Sequence, residues 1–71
     1  MNPTTQIRLQ DLRYYYIHKP MTYGYLTEKL KERINDGETV ELILEDSTIF
    51  QPANANRLEK FLLDEVGGQY K

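Results

Sequence analysis

Residues 13–20 read Arg-Tyr-Tyr-Tyr-Ile-His-Lys-Pro, and the conformation of this stretch decides the fold. Aromatic and β-branched side chains favour extended structure, so the composition predicts a strand near 13–18. Pro20 ends this element, because proline lacks the amide hydrogen that would continue it. A lone two-stranded hairpin is marginally stable in water. The hairpin predicted further along the chain would therefore gain from this third strand.

A helix over residues 6–18 is the alternative, because Leu9, Leu12 and Tyr16 would then share one face. This helix would leave two isoleucines off that face, which counts against it. If it forms, the element order becomes helix, helix, hairpin, helix. That order is typical of a winged-helix-like arrangement.

The next segment has the apolar spacing of a helix, which we predict over 22–35. Thr22 suits the N-cap, and Met21 and Leu26 have the spacing of a hydrophobic staple. Gly37 suits the left-handed residue that follows many helices. The apolar side chains of one face recur at helical spacing: Tyr23, Leu26, Leu30 and Ile34.

The second half of the chain predicts a hairpin over 38–51 and a last helix over about 54–66. Apolar and polar residues alternate along the first strand of the hairpin, and Asp46 and Ser47 form its turn. Asn54 or Asn56 caps the last helix. Its apolar stripe consists of Leu58, Phe61, Leu62 and Val66.

Together these elements predict an α+β fold. A small antiparallel sheet, formed by the hairpin and the third strand near 13–18, packs against the two helices. The chain of 71 residues allows one domain, 1–71, and we expect frayed ends near 1–5 and 68–71.

The small size and the composition argue against an enzyme. So short a chain leaves little interior for a ligand cavity of about 300 Å³ or more. It has no cysteine and a single histidine, His18, so the residues for a clustered transition-metal site are lacking. No glycine-rich loop with phosphate-binding spacing is present. We therefore predict no catalytic residue, no cofactor and no metal.

The chain lacks an apolar run that approaches the ~18 residues of a membrane span. No secretory signal pattern is visible at its first residues. Small domains in oxidising compartments usually carry disulfides, and this chain has no cysteine. The sequence thus predicts a cytoplasmic protein that does not enter a membrane.

The charges are divided unequally along the chain. Residues 1–35 contain six basic and three acidic residues, whereas residues 36–71 contain three basic and eight acidic ones. The acidic half either presents a negative face to a basic partner or forms an ordinary hydrated surface, and we favour the latter.

Five of the six tyrosines lie between residues 14 and 25, close to basic side chains. Exposed tyrosine beside arginine is typical of protein interfaces, where both residue types supply much of the binding energy. It is also typical of single-stranded nucleic-acid sites, where bases stack on aromatic rings. The candidate partner-binding residues are Arg13, Tyr14, Tyr16, His18, Lys19 and Tyr25.

We therefore predict a small non-enzymatic regulatory or adaptor protein that docks onto a larger protein. An inhibitor or modulator of transcription or of nucleic-acid-processing machinery fits the size, as does a product of a phage or mobile element. The alternative is a nucleic-acid-binding protein, either a Tyr/Arg-rich single-strand binder or a winged-helix-like duplex binder. A third interpretation is a homo-oligomer that buries Ile43 and Leu63, which lie off the apolar faces of their elements.

Overall fold

The computed structural model describes residues 4–67 of the protein. Their α+β architecture confirms the predicted fold class. In chain order the elements are β1 (Thr4–Arg8), α1 (Leu9–His18), α2 (Pro20–Asn35), β2 (Thr39–Ile43), β3 (Ile49–Phe50) and α3 (Ala55–Leu62), which continues as a π-helical turn, Leu63–Gly67.

The prediction of a strand near 13–18 is wrong, because these residues form most of α1. Leu9 and Leu12 are buried, and Tyr16 packs against the same core. Burial of this helical stripe outweighs the β-propensity of the tyrosines, since propensity is a weak preference that tertiary packing overrides. The third strand of the sheet is β1 instead.

The sheet is mixed, and not antiparallel as predicted, and its strand order is β1-β2-β3. β1 runs parallel to β2, with Thr5 opposite Val40, and β2 runs antiparallel to β3, with Leu42 opposite Phe50. Parallel neighbours require a long crossover connection. The helical pair α1–α2 supplies it.

All three helices contribute to one apolar core against one face of the sheet. Its buried side chains come from α1, α2, β2, α3 and the π-helical turn: Leu9, Leu12, Leu30, Val40, Leu42, Leu58, Leu62 and Val66. The fold therefore has three helices on the sheet, one more than predicted.

The other face of the sheet is less buried, because Thr39 is exposed there and Glu41 and Ile43 are only partly buried. Glu41 lies at its centre and accepts hydrogen bonds from Gln6 Nε2 at 2.7 Å and from Gln51 Nε2 at 2.6 Å. These two amide donors hold the pKa of Glu41 below its ordinary value, so the carboxylate stays charged at neutral pH. Ile43 and Ile49 pair on the same face.

The hairpin predicted over 38–51 is confirmed as β2 and β3. Its turn contains Asp46 and Ser47 as expected, and Ser47 adopts a positive φ of 71°. The Thr48 amide donates to Asp46 Oδ1 at 3.1 Å. Hydrogen bonding from Thr48 lowers the pKa of Asp46.

The ends of the two predicted helices are partly as expected. The Asn54 side chain caps α3, because its Oδ1 accepts a hydrogen bond from the Arg57 amide at 2.9 Å. Gly37 follows α2 with φ at 89°, as predicted. However, α2 begins at Pro20 and not at Thr22, since proline suits the first helical position. Met21 is exposed and forms no staple.

The predicted frayed ends concern residues 1–5 and 68–71. Residues 1–3 and 68–71 lie outside the described residues. Thr4 and Thr5 pair with Thr39 and Val40 as the first residues of β1.

Candidate functional site

The α1–α2 corner carries four of the six exposed large hydrophobic side chains of residues 4–67. α1 ends at His18 and α2 begins at Pro20, so Lys19 alone joins the two helices. The Lys19 amide donates to the Tyr15 carbonyl at 2.7 Å, and the Tyr23 amide donates to the Lys19 carbonyl at 2.9 Å. Both helices thus keep their hydrogen bonds up to the corner, which gives it a defined backbone.

Four large side chains project from this corner into solvent. Tyr14 is 52% exposed, Ile17 59%, Met21 89% and Tyr25 63%. Within residues 4–67, only Ile49 and Leu63 among the other large hydrophobic residues are exposed. Monomeric proteins rarely expose contiguous apolar patches larger than a few hundred Å², and larger patches mark interaction sites. We call these four residues, with His18 and Lys19, the aromatic corner.

Helical spacing explains why these side chains face outward. Tyr14, Ile17 and His18 stand at i, i+3 and i+4 on α1, away from the buried stripe. Met21 and Tyr25 stand at i and i+4 on α2. When the two helices bury their core stripes, this second set of side chains is therefore left on the solvent-exposed side.

Ring contacts order part of the aromatic corner. The rings of Tyr14 and His18 lie 4.7 Å apart between centroids. Lys29 Nζ stands 5.5 Å from the centre of the Tyr25 ring, within the range of a cation–π contact. Side chains that are already ordered lose less conformational entropy when a partner binds.

The six predicted partner-binding residues separate into two groups. Tyr14, His18, Lys19 and Tyr25 lie at the aromatic corner. Arg13 and Tyr16 point to the interior side of α1. The predicted set therefore combines four corner residues with two residues that have structural contacts.

Arg13 and Tyr16 connect α1 to the rest of the fold. Arg13 Nε donates to the Glu65 carbonyl at 3.1 Å, and its guanidinium also pairs with the carboxylates of Glu45 and Glu65. The Tyr16 ring packs edge-on against Tyr23 at 5.0 Å between centroids.

Ile17 and Met21 are the corner residues that sequence reasoning misses. Ile17 falls off the Leu9–Leu12–Tyr16 stripe, and this is the signal that could have identified it. Met21 could form a hydrophobic staple only if the helix began at Thr22. In the structure α2 begins two residues earlier, at Pro20. Correct placement of the corner at Lys19 turns both residues outward.

The uneven charge along the chain is largely neutralised by folding. Three cations of the first half pair with carboxylates of the second half: Arg13 with Glu45 and Glu65, Lys31 with Glu59, and Arg33 with Glu38. Lys19 has no ion-pair partner among residues 4–67. No carboxylate occurs between Asp11 and Glu28, so the residues of the aromatic corner are themselves apolar, aromatic or basic.

A shallow groove of about 160 Å³ lies between α2 and α3. Lys31 and Glu59 face each other across it at 2.7 Å. This hydrogen bond raises the pKa of Lys31 and lowers that of Glu59, and burial raises the pKa of Tyr23 in the same groove. All three pKa values move away from neutrality, whereas a general acid or base works best near pH 7.

The described part of the chain contains no group of three residues arranged to hold a metal ion. None of its helices is long and apolar enough to cross a membrane.

Replacing Gly24 with alanine is expected to stabilise the protein by about 0.5–1 kcal/mol, because glycine costs conformational entropy within a helix. A Cβ at this position would meet no atom within 4 Å. Thermal unfolding should therefore occur a few degrees higher. Gly37→Ala is the control and should lower the unfolding temperature, because Gly37 has φ at 89°. A lower unfolding temperature for Gly24→Ala would contradict the described path of α2.

Comparison with known proteins gives no match: no protein-family model, curated protein or solved structure is significantly similar to this chain.

Proposed function

We propose that the protein is a small non-enzymatic docking module that binds a larger protein through the aromatic corner. The observation that carries the proposal is the exposure of four large side chains around Lys19, which has no ion-pair partner within the described residues 4–67. Tyrosine and large apolar residues that fill pockets of a partner supply most of the binding energy in protein interfaces. An interface of this kind needs no enclosed cavity in the module itself.

The composition of the corner defines the chemistry of the partner. Ile17 and Met21 require an apolar groove, and the tyrosines add rings whose hydroxyl groups stay hydrated. Lys19 and His18 favour carboxylates at the rim of that groove. We propose a partner with an apolar groove bordered by acidic residues, and a component of transcription or nucleic-acid-processing machinery is our working candidate.

A duplex nucleic acid fits the corner less well. The face of α2 that includes Tyr25 also carries Glu28 and Glu32, and the hairpin turn carries Glu45 and Asp46. These carboxylates repel phosphates, whereas a duplex-binding protein presents a largely basic face.

The test is affinity capture from source-cell lysate, with and without nuclease, using three forms of the full chain. One form is wild type. The corner variant carries Ile17→Ser, Met21→Ser and Tyr25→Ser. The control variant carries Ile49→Ser and Leu63→Ser, which change exposed apolar residues on other surfaces.

We expect wild type and the control variant to retain one protein after nuclease treatment, and the corner variant to lose it. Titration with that purified protein should show at least a tenfold weaker affinity for the corner variant, about 1.4 kcal/mol. Thermal unfolding of all three forms confirms that folding is preserved. Equal binding by the corner variant, or disappearance of the captured protein on nuclease treatment, would contradict the proposal.

A further inference from the structure

The outward side of α3 carries two cations, Arg57 and Lys60, that have no ion-pair partner among residues 4–67. Arg8, Arg13 and Arg33 each have a carboxylate within 4 Å. The Arg57 guanidinium has none among residues 4–67, and only its backbone amide bonds to Asn54. Lys60, one turn further along α3, likewise lacks an ion-pair partner in the described part of the chain. As far as residues 4–67 are concerned, Arg57 and Lys60 are therefore available to bind an anion.

These cations adjoin an aromatic pair that joins the sheet to α3. The rings of Phe50 and Phe61 stack at 4.4 Å between centroids and 18° between planes. Both residues are only partly buried. A surface cavity of about 190 Å³ is lined by Phe50, Arg57, Lys60, Phe61 and Asp64. Its lining thus combines two aromatic side chains, two cations and one carboxylate.

We propose that this cavity binds one base of a single-stranded nucleic acid, with Arg57 and Lys60 on the neighbouring phosphates. Aromatic rings with adjacent cations are the usual components of single-strand sites. Asp64 can accept a hydrogen bond from an exocyclic amino group, as carboxylates do from cytosine. An oligoglutamate peptide would satisfy the cations, but it carries no flat ring to contact Phe50 and Phe61, whereas a nucleic-acid base does. This site is separate from the aromatic corner, so the inference does not rest on the docking proposal.

The test uses fluorescence anisotropy with labelled 12-nucleotide probes, one of dC and one of dT, and the full chain. At physiological salt we expect the dC probe to bind with a Kd of about 10⁻⁴–10⁻⁶ M, in the range of non-specific nucleic-acid binding. The double variant Arg57→Gln, Lys60→Gln should weaken this affinity at least tenfold. The affinity of the double variant should also depend less on salt. The slope of log affinity against log salt concentration should become shallower by about 0.7 for each phosphate that the variant no longer neutralises.

A matched control removes the same net charge elsewhere. Lys29→Gln with Arg33→Gln changes two exposed cations that pair with Glu32 and Glu38. This control should change the affinity less than threefold. Asp64→Asn should reduce the preference for dC over dT, because an amide no longer offers two carboxylate acceptors. Thermal unfolding of each variant shows whether folding is kept.

Three results would overturn the inference. The first is no binding of either probe at millimolar protein. The second is equal affinity of wild type and the Arg57→Gln, Lys60→Gln variant. The third is tighter binding of a labelled oligoglutamate peptide than of the dC probe, which would make the cavity a site for acidic peptides.

Discussion

Leu12→Ala is expected to unfold most of the protein. Leu12 is fully buried at the centre of the core. Truncation of a buried leucine costs about 2–5 kcal/mol, because apolar burial is reduced and a cavity is left behind. A domain of this length has only about 3–5 kcal/mol of net stability. Circular dichroism during urea titration should show a transition shifted to very low urea or a largely unfolded chain.

Two control variants test which face of α1 is buried. Leu12→Met conserves volume and should cost less than about 1.5 kcal/mol. Ile17→Ala, on the exposed side of the same helix, should change stability by no more than about 0.5 kcal/mol. If Ile17→Ala were as destabilising as Leu12→Ala, the buried face of α1 would differ from the one described.

Arg13→Ala has the second largest expected effect, a destabilisation of about 2 kcal/mol. In the wild-type protein the Arg13 guanidinium connects α1 both to the hairpin turn and to the π-helical turn. A hydrogen bond that involves a charged group contributes about 1.5–3 kcal/mol to stability. The ion pairs of Arg13 with Glu45 and Glu65 are partly exposed to solvent and add little. The unfolding transition should shift to lower urea, and amide exchange in the π-helical turn should accelerate.

Arg33→Ala is the matched control. Arg33 also sits on a helix and pairs with one carboxylate, that of Glu38, at 3.2 Å in an exposed setting. Exposed pairs contribute about 0–1 kcal/mol. Equal destabilisation by Arg13→Ala and Arg33→Ala would show that Arg13 does not connect the three elements.

Arg13 and Tyr16 also show why the candidate site was only partly predictable. The sequence has an unusual density of tyrosine and basic residues, and Tyr14, His18, Lys19 and Tyr25 do lie at one exposed corner. Residue type cannot tell which members of such a segment turn inward, because that depends on the helical register. A strand over 13–18 groups alternate residues, whereas the helix groups every third and fourth residue.

The sequence also could not show that Arg57 and Lys60 lack an ion-pair partner in the described part of the chain. All four arginines look alike in the sequence, and the acidic residues outnumber the basic ones. Pairings across many positions, such as Lys31 with Glu59, select which cations are neutralised. Those pairings exist only after the helices pack.

The sequence by itself determined the α+β class, α2, the hairpin, a cap at Asn54 or Asn56 and the left-handed Gly37. Each of these depends on local spacing, on turn chemistry or on one backbone angle, all of which act within a few residues. Tertiary structure alone decided that 13–18 is helical, that β1 pairs parallel to β2, and which charges remain unpaired. These features depend on contacts between distant segments, where burial of Leu9 and Leu12 against the sheet outweighs local strand preference.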